Sequence, residues 1–169
     1  NKDEDAVSIP KGKLASFYWY KDDVALYEAE VAGMNKLFPQ FELRKNDDGR
    51  LFWFGEINSP AGEGSKWHLQ LIYDNNHPHN DNYGGSIKVY SIKPVLEEIV
   101  EKLGENVPHL LTDSDGYYYL CTSRKEDFKD GQTVTTAIAS LGWAVKWIAA
   151  FELWLAGDLS TNEFQGHTV

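Results

Sequence analysis

The stretch VPHLLTDSDGYYYLCT, residues 107–122, gathers the residue types from which a thiol active site can be built. Cys121 is the only cysteine in the chain, and Pro108-His109 ends twelve residues before it. Between them stands a turn signal, Asp113-Ser114-Asp115-Gly116. A thiolate attacks carbonyl carbon, a nearby imidazole can take a proton or donate a hydrogen bond, and a carboxylate can accept one. Two readings of Cys121 are open. It can be a small residue packed in an apolar strand, YYYLC. It can instead be a nucleophile, because the polar run TSRKEDFKDG follows at once and a strand exit can leave a sulfur accessible. His109 divides the same way, between a ring that ties down a loop and a partner of the thiol. The local signatures of cysteine proteases are absent, so a hydrolase has little support.

Other candidate chemistry is thinner. In DNNHPHND, Asp74, His77, His79 and Asp81 carry metal-donor atoms. No cysteine pair or H-E-x-x-H spacing accompanies them. A polar loop with its path fixed by Pro78 is preferred, and no metal is expected.

The elements that must position Cys121 and His109 read as α+β. A helix begins at Asp22 or Asp23 and runs to Phe38, with Pro39 ending it. Two extended runs follow, joined by the hairpin signal Asn46-Asp47-Asp48-Gly49. After the turn SPAGEGS, Trp67, Leu69, Leu71 and Tyr73 alternate as one face of a strand, and SIKVYSI gives another. Pro94 opens a short helix that Gly104 stops. The longest helix carries Trp143, Trp147, Phe151 and Trp154 at helical spacing, and Gly157 ends it. The order is a helix, a four-stranded antiparallel meander, a short helix, a cysteine-bearing segment and a long C-terminal helix.

Bulk properties narrow the partners. A length of 169 residues favours one domain. Net charge is −10 and pI about 4.9, which disfavours nucleic acid and suits a basic protein surface. A lone cysteine forms no internal disulfide. No apolar run reaches the roughly 20 residues that span a bilayer. The polar start NKDEDAVSIPKGK lacks the apolar core of a signal peptide, so a cytoplasmic protein with no membrane partner is expected.

Together these pieces resemble E2 ubiquitin-conjugating enzymes, specifically their bacterial E2-like branch. Members of that branch show Pro-His, a short polar stretch with Asp-Gly, then Leu-Cys. Pro108-His109, Asp115-Gly116 and Leu120-Cys121 match in turn, and LGWAVKWIAAFELWLAGD is similar to the Trp-rich final helix. The strand IKVYSIKP closing on Pro94 fits as well. The resemblance covers residues 22–158 and is most specific over 108–157. It implies a UBC-like domain over 22–158, a polar leader over 1–21 and a tail over 159–169. Eukaryotic E2 enzymes place His-Pro-Asn before the cysteine. Here the order is Pro-His and Leu111 stands two positions after His109, which leaves Thr112, Ser114 or a backbone N–H as candidate oxyanion donors.

The resemblance also implies chemistry. Cys121 would carry a ubiquitin-like protein, or a nucleotidyltransferase through its C-terminus, as a thioester received from an E1-like enzyme. An amine would then accept it. His109 would organise the turn or donate to the oxyanion, and Asp113 or Asp115 would orient or deprotonate the incoming lysine. Neither a metal nor an organic cofactor is needed. Relatives of this kind sit in bacterial antiphage operons, some with cyclic-oligonucleotide signalling (CBASS). An inert adaptor of the E2-variant or RWD kind is the alternative from another class, and a Cys-His hydrolase the third.

Overall fold

The computed structural model describes residues 18–60, 65–74, 77–78, 86–121 and 135–166. The leader through residue 17, His79, Asp81 and the charged stretch after Cys121 lie outside them.

A single helical turn, α1 (Trp19–Asp22), leads into α2 (Val24–Leu37). Asp23 caps α2 by accepting the Leu26 N–H at 3.1 Å. Pro39 follows just beyond the last helical residue, as the sequence requires. Four strands then run as an antiparallel meander: β1 (Glu42–Lys45), β2 (Leu51–Asn58), β3 (Lys66–Tyr73) and β4 (Ile87–Lys93). The β1–β2 turn is the expected one, with Gly49 at φ 93°, a left-handed value that favours glycine.

Helix α3 (Leu96–Leu103) ends on Gly104, also left-handed, whose N–H returns to the Val100 carbonyl. It carries the chain to two strands that extend the four-stranded expectation: β5 (Leu110–Thr112) and β6 (Tyr118–Leu120). Spatial order is β1-β2-β3-β4-β6-β5, so the strand that leads into Cys121 lies between the meander and the edge strand. Val89 faces Leu120 across the β4–β6 seam. Each added strand has only three residues, too few for alternation to mark it.

Helix α4 (Ala137–Leu155) covers one face of the sheet. Leu141, Ala144, Trp147, Ile148 and Phe151 point inward with Trp53, Trp67, Leu69, Leu71 and Val89. Trp147 stacks on Phe151 at 4.8 Å between ring centroids, and both meet Trp67 edge-on. Trp143 and Trp154 flank this face, partly buried. By length and composition α4 could cross a bilayer, with a mean hydropathy of 1.3. Its buried stripe accounts for that apolarity within the fold. Gly157 closes α4 with a pair of bonds, Gly157 N–H to Trp154 and Asp158 N–H to Leu153.

The folded unit reaches past residues 22–158 at both ends. Trp19 is buried, with its ring 4.8 Å from Tyr73 and 4.5 Å from His77. The segment after residue 158 forms α5 (Thr161–Gly166), whose Phe164 is fully buried. His77 is thus a core ring, with Nδ1 2.8 Å from Ser86 Oγ, and Asp74 pairs with Lys88. Among the described residues, no cluster of three or more donor side chains could hold a metal ion.

A polar chain threads this core. Trp53 Nε1–H donates to Tyr73 Oη, and Tyr73 O–H donates to Glu30 at 2.8 Å. The same Glu30 oxygen accepts the first free N–H of α4, from Ala137, at 2.9 Å. Burial raises the Glu30 carboxyl above its ordinary 4.5, against the two hydrogen bonds that lower it. The folded state therefore holds this proton more tightly than the unfolded chain. Its contribution to stability is complete below 4.5 and is lost as pH rises through the raised folded value. Glu30→Gln is expected to flatten the stability profile in that window. Urea midpoints of both proteins, followed from acid towards neutral pH, check the slope.

Candidate active site

The hairpin β5–β6 positions the sequence candidates. Leu110 faces Leu120, Leu111 faces Tyr119 and Thr112 faces Tyr118. One step further out, Cys121 N–H donates to the His109 carbonyl at 3.0 Å. The sole cysteine and the Pro-His motif are therefore backbone partners at the open end of the hairpin. Cys121 is only 5% exposed. The accessible sulfur expected at the strand exit is not found; the residue is packed.

The His109 ring turns to the C-terminus of the chain. Its Nε2 lies 2.9 Å from the Phe164 carbonyl and 3.0 Å from the Gln165 carbonyl. Carbonyls only accept, so Nε2 carries the hydrogen and shares it between them. That hydrogen is not free to serve an oxyanion at Cys121 while the contact holds. The His109 carbonyl also receives Trp147 Nε1–H at 3.1 Å. His109 sits at φ 62°, a left-handed value uncommon for a residue with a side chain. Strain of that kind persists where neighbours over-determine it, and here three do: Cys121, Trp147 and α5.

At the closed end, Asp113 builds the turn. One carboxylate oxygen accepts the Asp115 and Tyr117 N–H groups, both at 2.9 Å, and the other accepts Tyr90 O–H at 2.8 Å. Burial pushes the Asp113 carboxyl up, but the hydrogen bonds from Tyr117, Tyr90, Asp115 and Gly116 outweigh it and hold it low. Tyr90 is raised, first by burial and then by that same carboxylate. Gly116 takes the left-handed position of the turn at φ 89°. Four residues of strand separate Asp113 from His109, on the order of 13 Å at the usual rise. Asp113 and Asp115 are thus apart from the thiol, as are Thr112 and Ser114, the side-chain oxyanion candidates.

A cleft of about 840 Å3 opens on the sheet face away from α4. Tyr90, Glu97, Asp113, Tyr117 and Tyr119 are among its walls. Cys121 does not line it, but Tyr119, two residues earlier, does. The Tyr119 hydroxyl is raised by burial first, then by Asp74, Cys121 and Asp113.

Sequence reasoning missed three contributors. Trp147 is legible as core, but its donation to His109 is not. Glu97 accepts the Tyr118 N–H at 2.7 Å and ties α3 to β6, with no sequence signal. Helix α5 does have one, Ser160-x-x-Glu163, a capping box.

Among curated proteins, none matches this chain. The family model described as Type II CBASS E2 protein matches residues 30–166, from the second half of α2 through α5. An antiparallel sheet backed by a long C-terminal helix fits an E2-like fold. That match spans most of the chain and includes both His109 and Cys121, and the chain belongs to the Type II CBASS E2 family of bacterial E2-like proteins from antiphage operons.

Proposed function

We propose that this protein is an E2-like carrier in an antiphage conjugation system of the bacterial cytoplasm. Cys121 holds a protein C-terminus as a thioester and passes it to an amine. The observation that carries this reading is the bond from Cys121 N–H to the His109 carbonyl, which places the only cysteine on the Pro-His motif within a matched E2 family. In loading, Cys121 sulfur attacks the C-terminal carbonyl of a ubiquitin-like protein or nucleotidyltransferase held on an E1-like enzyme. A new C–S bond forms, the bond to the activating enzyme breaks, and the Cys121 proton is released. In transfer, an amine attacks the same carbon, a C–N bond forms, the C–S bond breaks so that Cys121 leaves as thiolate, and the amine gives up one proton to solvent.

Both steps pass through an oxyanion, and losing one donor to such a charge typically costs about 100–1000-fold. Thr112 and Ser114 stand at the other end of the hairpin, which leaves a backbone N–H as the donor, and that of Cys121 can serve only once it has left the His109 carbonyl. His109 acts as organiser of the thiol's strand. Asp113 shapes the turn, and Asp115 lies with it at the end of the hairpin away from Cys121, so neither carboxylate is given a part in the attack of the amine.

The adaptor reading draws on one observation, the burial of Cys121. Protection of cells against phage separates the two. Cys121→Ala is expected to abolish protection by a carrier. Full protection by that variant, at equal protein level, would establish the adaptor.

A further inference from the structure

Helix α5 holds the ring of His109, whose carbonyl in turn accepts the Cys121 N–H. Its start is a reciprocal capping box: Ser160 N–H donates to Glu163 at 2.8 Å, and Glu163 N–H donates to Ser160 Oγ at 3.1 Å. Trp154 Nε1–H reaches Thr161 Oγ1 at 3.0 Å. Phe164 is buried against His109, Trp147 and Trp154, with ring centroids 5.7, 6.1 and 5.7 Å away. The last carbonyls of a helix lack partners within it, and here the His109 ring supplies one to Phe164 and Gln165.

Six residues are too few for a helix to persist unaided, so α5 exists through these contacts. Elements held in this way detach locally at less cost than the fold unfolds. Detachment would remove the ring anchor of His109. The left-handed backbone at His109, at φ 62°, could then relax, and its carbonyl would turn away from the Cys121 N–H that it holds.

We propose that α5 is a latch on Cys121. Docked, it keeps the thiol in its buried, unreactive setting. Undocked, it frees the end of β6 and exposes the sulfur. The regulatory meaning rests on the carrier reading above: loading of Cys121 proceeds from the undocked state, so a partner that grips the C-terminal segment controls the reaction.

Because Cys121 is the only thiol, its reaction with an aromatic disulfide reagent reads this opening directly, without modifier or activating enzyme. Two variants loosen the latch without emptying the core. Ser160→Ala with Glu163→Ala removes the exposed capping box. His109→Asn keeps a residue that tolerates left-handed backbone but is too short to reach α5. Loss of a cap predicts labelling roughly fivefold faster, and loss of the shared ring bond roughly tenfold or more. At low urea all three proteins are expected to label with little dependence on denaturant, the mark of local opening. Labelling that is unchanged in both variants, or that follows the full urea dependence of global unfolding, would overturn the latch. A thioester that forms normally beside such a result would leave the carrier standing. Accelerated labelling with no thioester would remove the carrier and keep the latch.

Discussion

Cys121→Ser is expected to turn a thiol-sensitive adduct into one that survives excess thiol, at greatly reduced yield. Serine differs from cysteine by one atom and fits the same packed position. Its hydroxyl does not ionise near neutral pH, so attack on an activated carbonyl slows by orders of magnitude. The product would be an oxygen ester, which resists both thiols and amines far better than a thioester. Loading and discharge are therefore expected to fall together, and the adduct accumulates over long incubation. Gel mobility before and after excess thiol, for the wild type and the variant side by side, checks this. An adduct of equal yield and equal thiol sensitivity in both would place the attachment elsewhere.

Trp147→Ala is expected to give the largest loss of stability of any substitution near the site. The ring is fully buried, stacked on Phe151 and wedged against Trp67 and Phe164. Truncating such a side chain costs about 3–5 kcal/mol in lost burial and residual cavity. For a domain of this size that corresponds to a fall of roughly 10 °C in melting temperature. Trp147→Phe isolates the second role. It keeps most of the apolar contact but loses the N–H that holds the His109 carbonyl. A smaller loss, about 1–3 kcal/mol, is expected, together with slower adduct formation per folded molecule. Urea unfolding of the three proteins gives the first number. A cost below about 1 kcal/mol for the alanine variant would mean that Trp147 is not part of the core that holds the hairpin.

Much of the fold could be read in advance because its signals are local. Asn46 to Gly49 fixes the first hairpin through a left-handed glycine, and Gly104 and Gly157 stop α3 and α4 in the same way. Alternation in β3 and the aromatic spacing in α4 identify the two faces that meet in the core. The site was less legible. Its two strands are three residues each, and β6 enters between β4 and β5 after a helical crossover, a pairing that no short window contains.

One signal did carry the decisive contact. The turn Asp113 to Gly116 sits midway between His109 and Cys121, so a hairpin through it makes them cross-strand neighbours. The grip of α5 on the His109 ring arises from packing between segments more than 50 residues apart. Asp113 shows the same limit from the other side. Its place in the turn was legible, yet its carboxylate is occupied by Tyr90 O–H from a distant strand, which sequence does not reveal.

The central claim is that Cys121 carries a protein C-terminus as a thioester. The most direct test is the intact mass of this protein, co-produced with the products of neighbouring genes and read without reductant, then after excess thiol. A protein-sized addition on Cys121 that disappears with thiol is the predicted result, and its mass identifies the modifier. An unmodified Cys121 beside demonstrably active neighbours, with no adduct on the Cys121→Ser variant either, would contradict it.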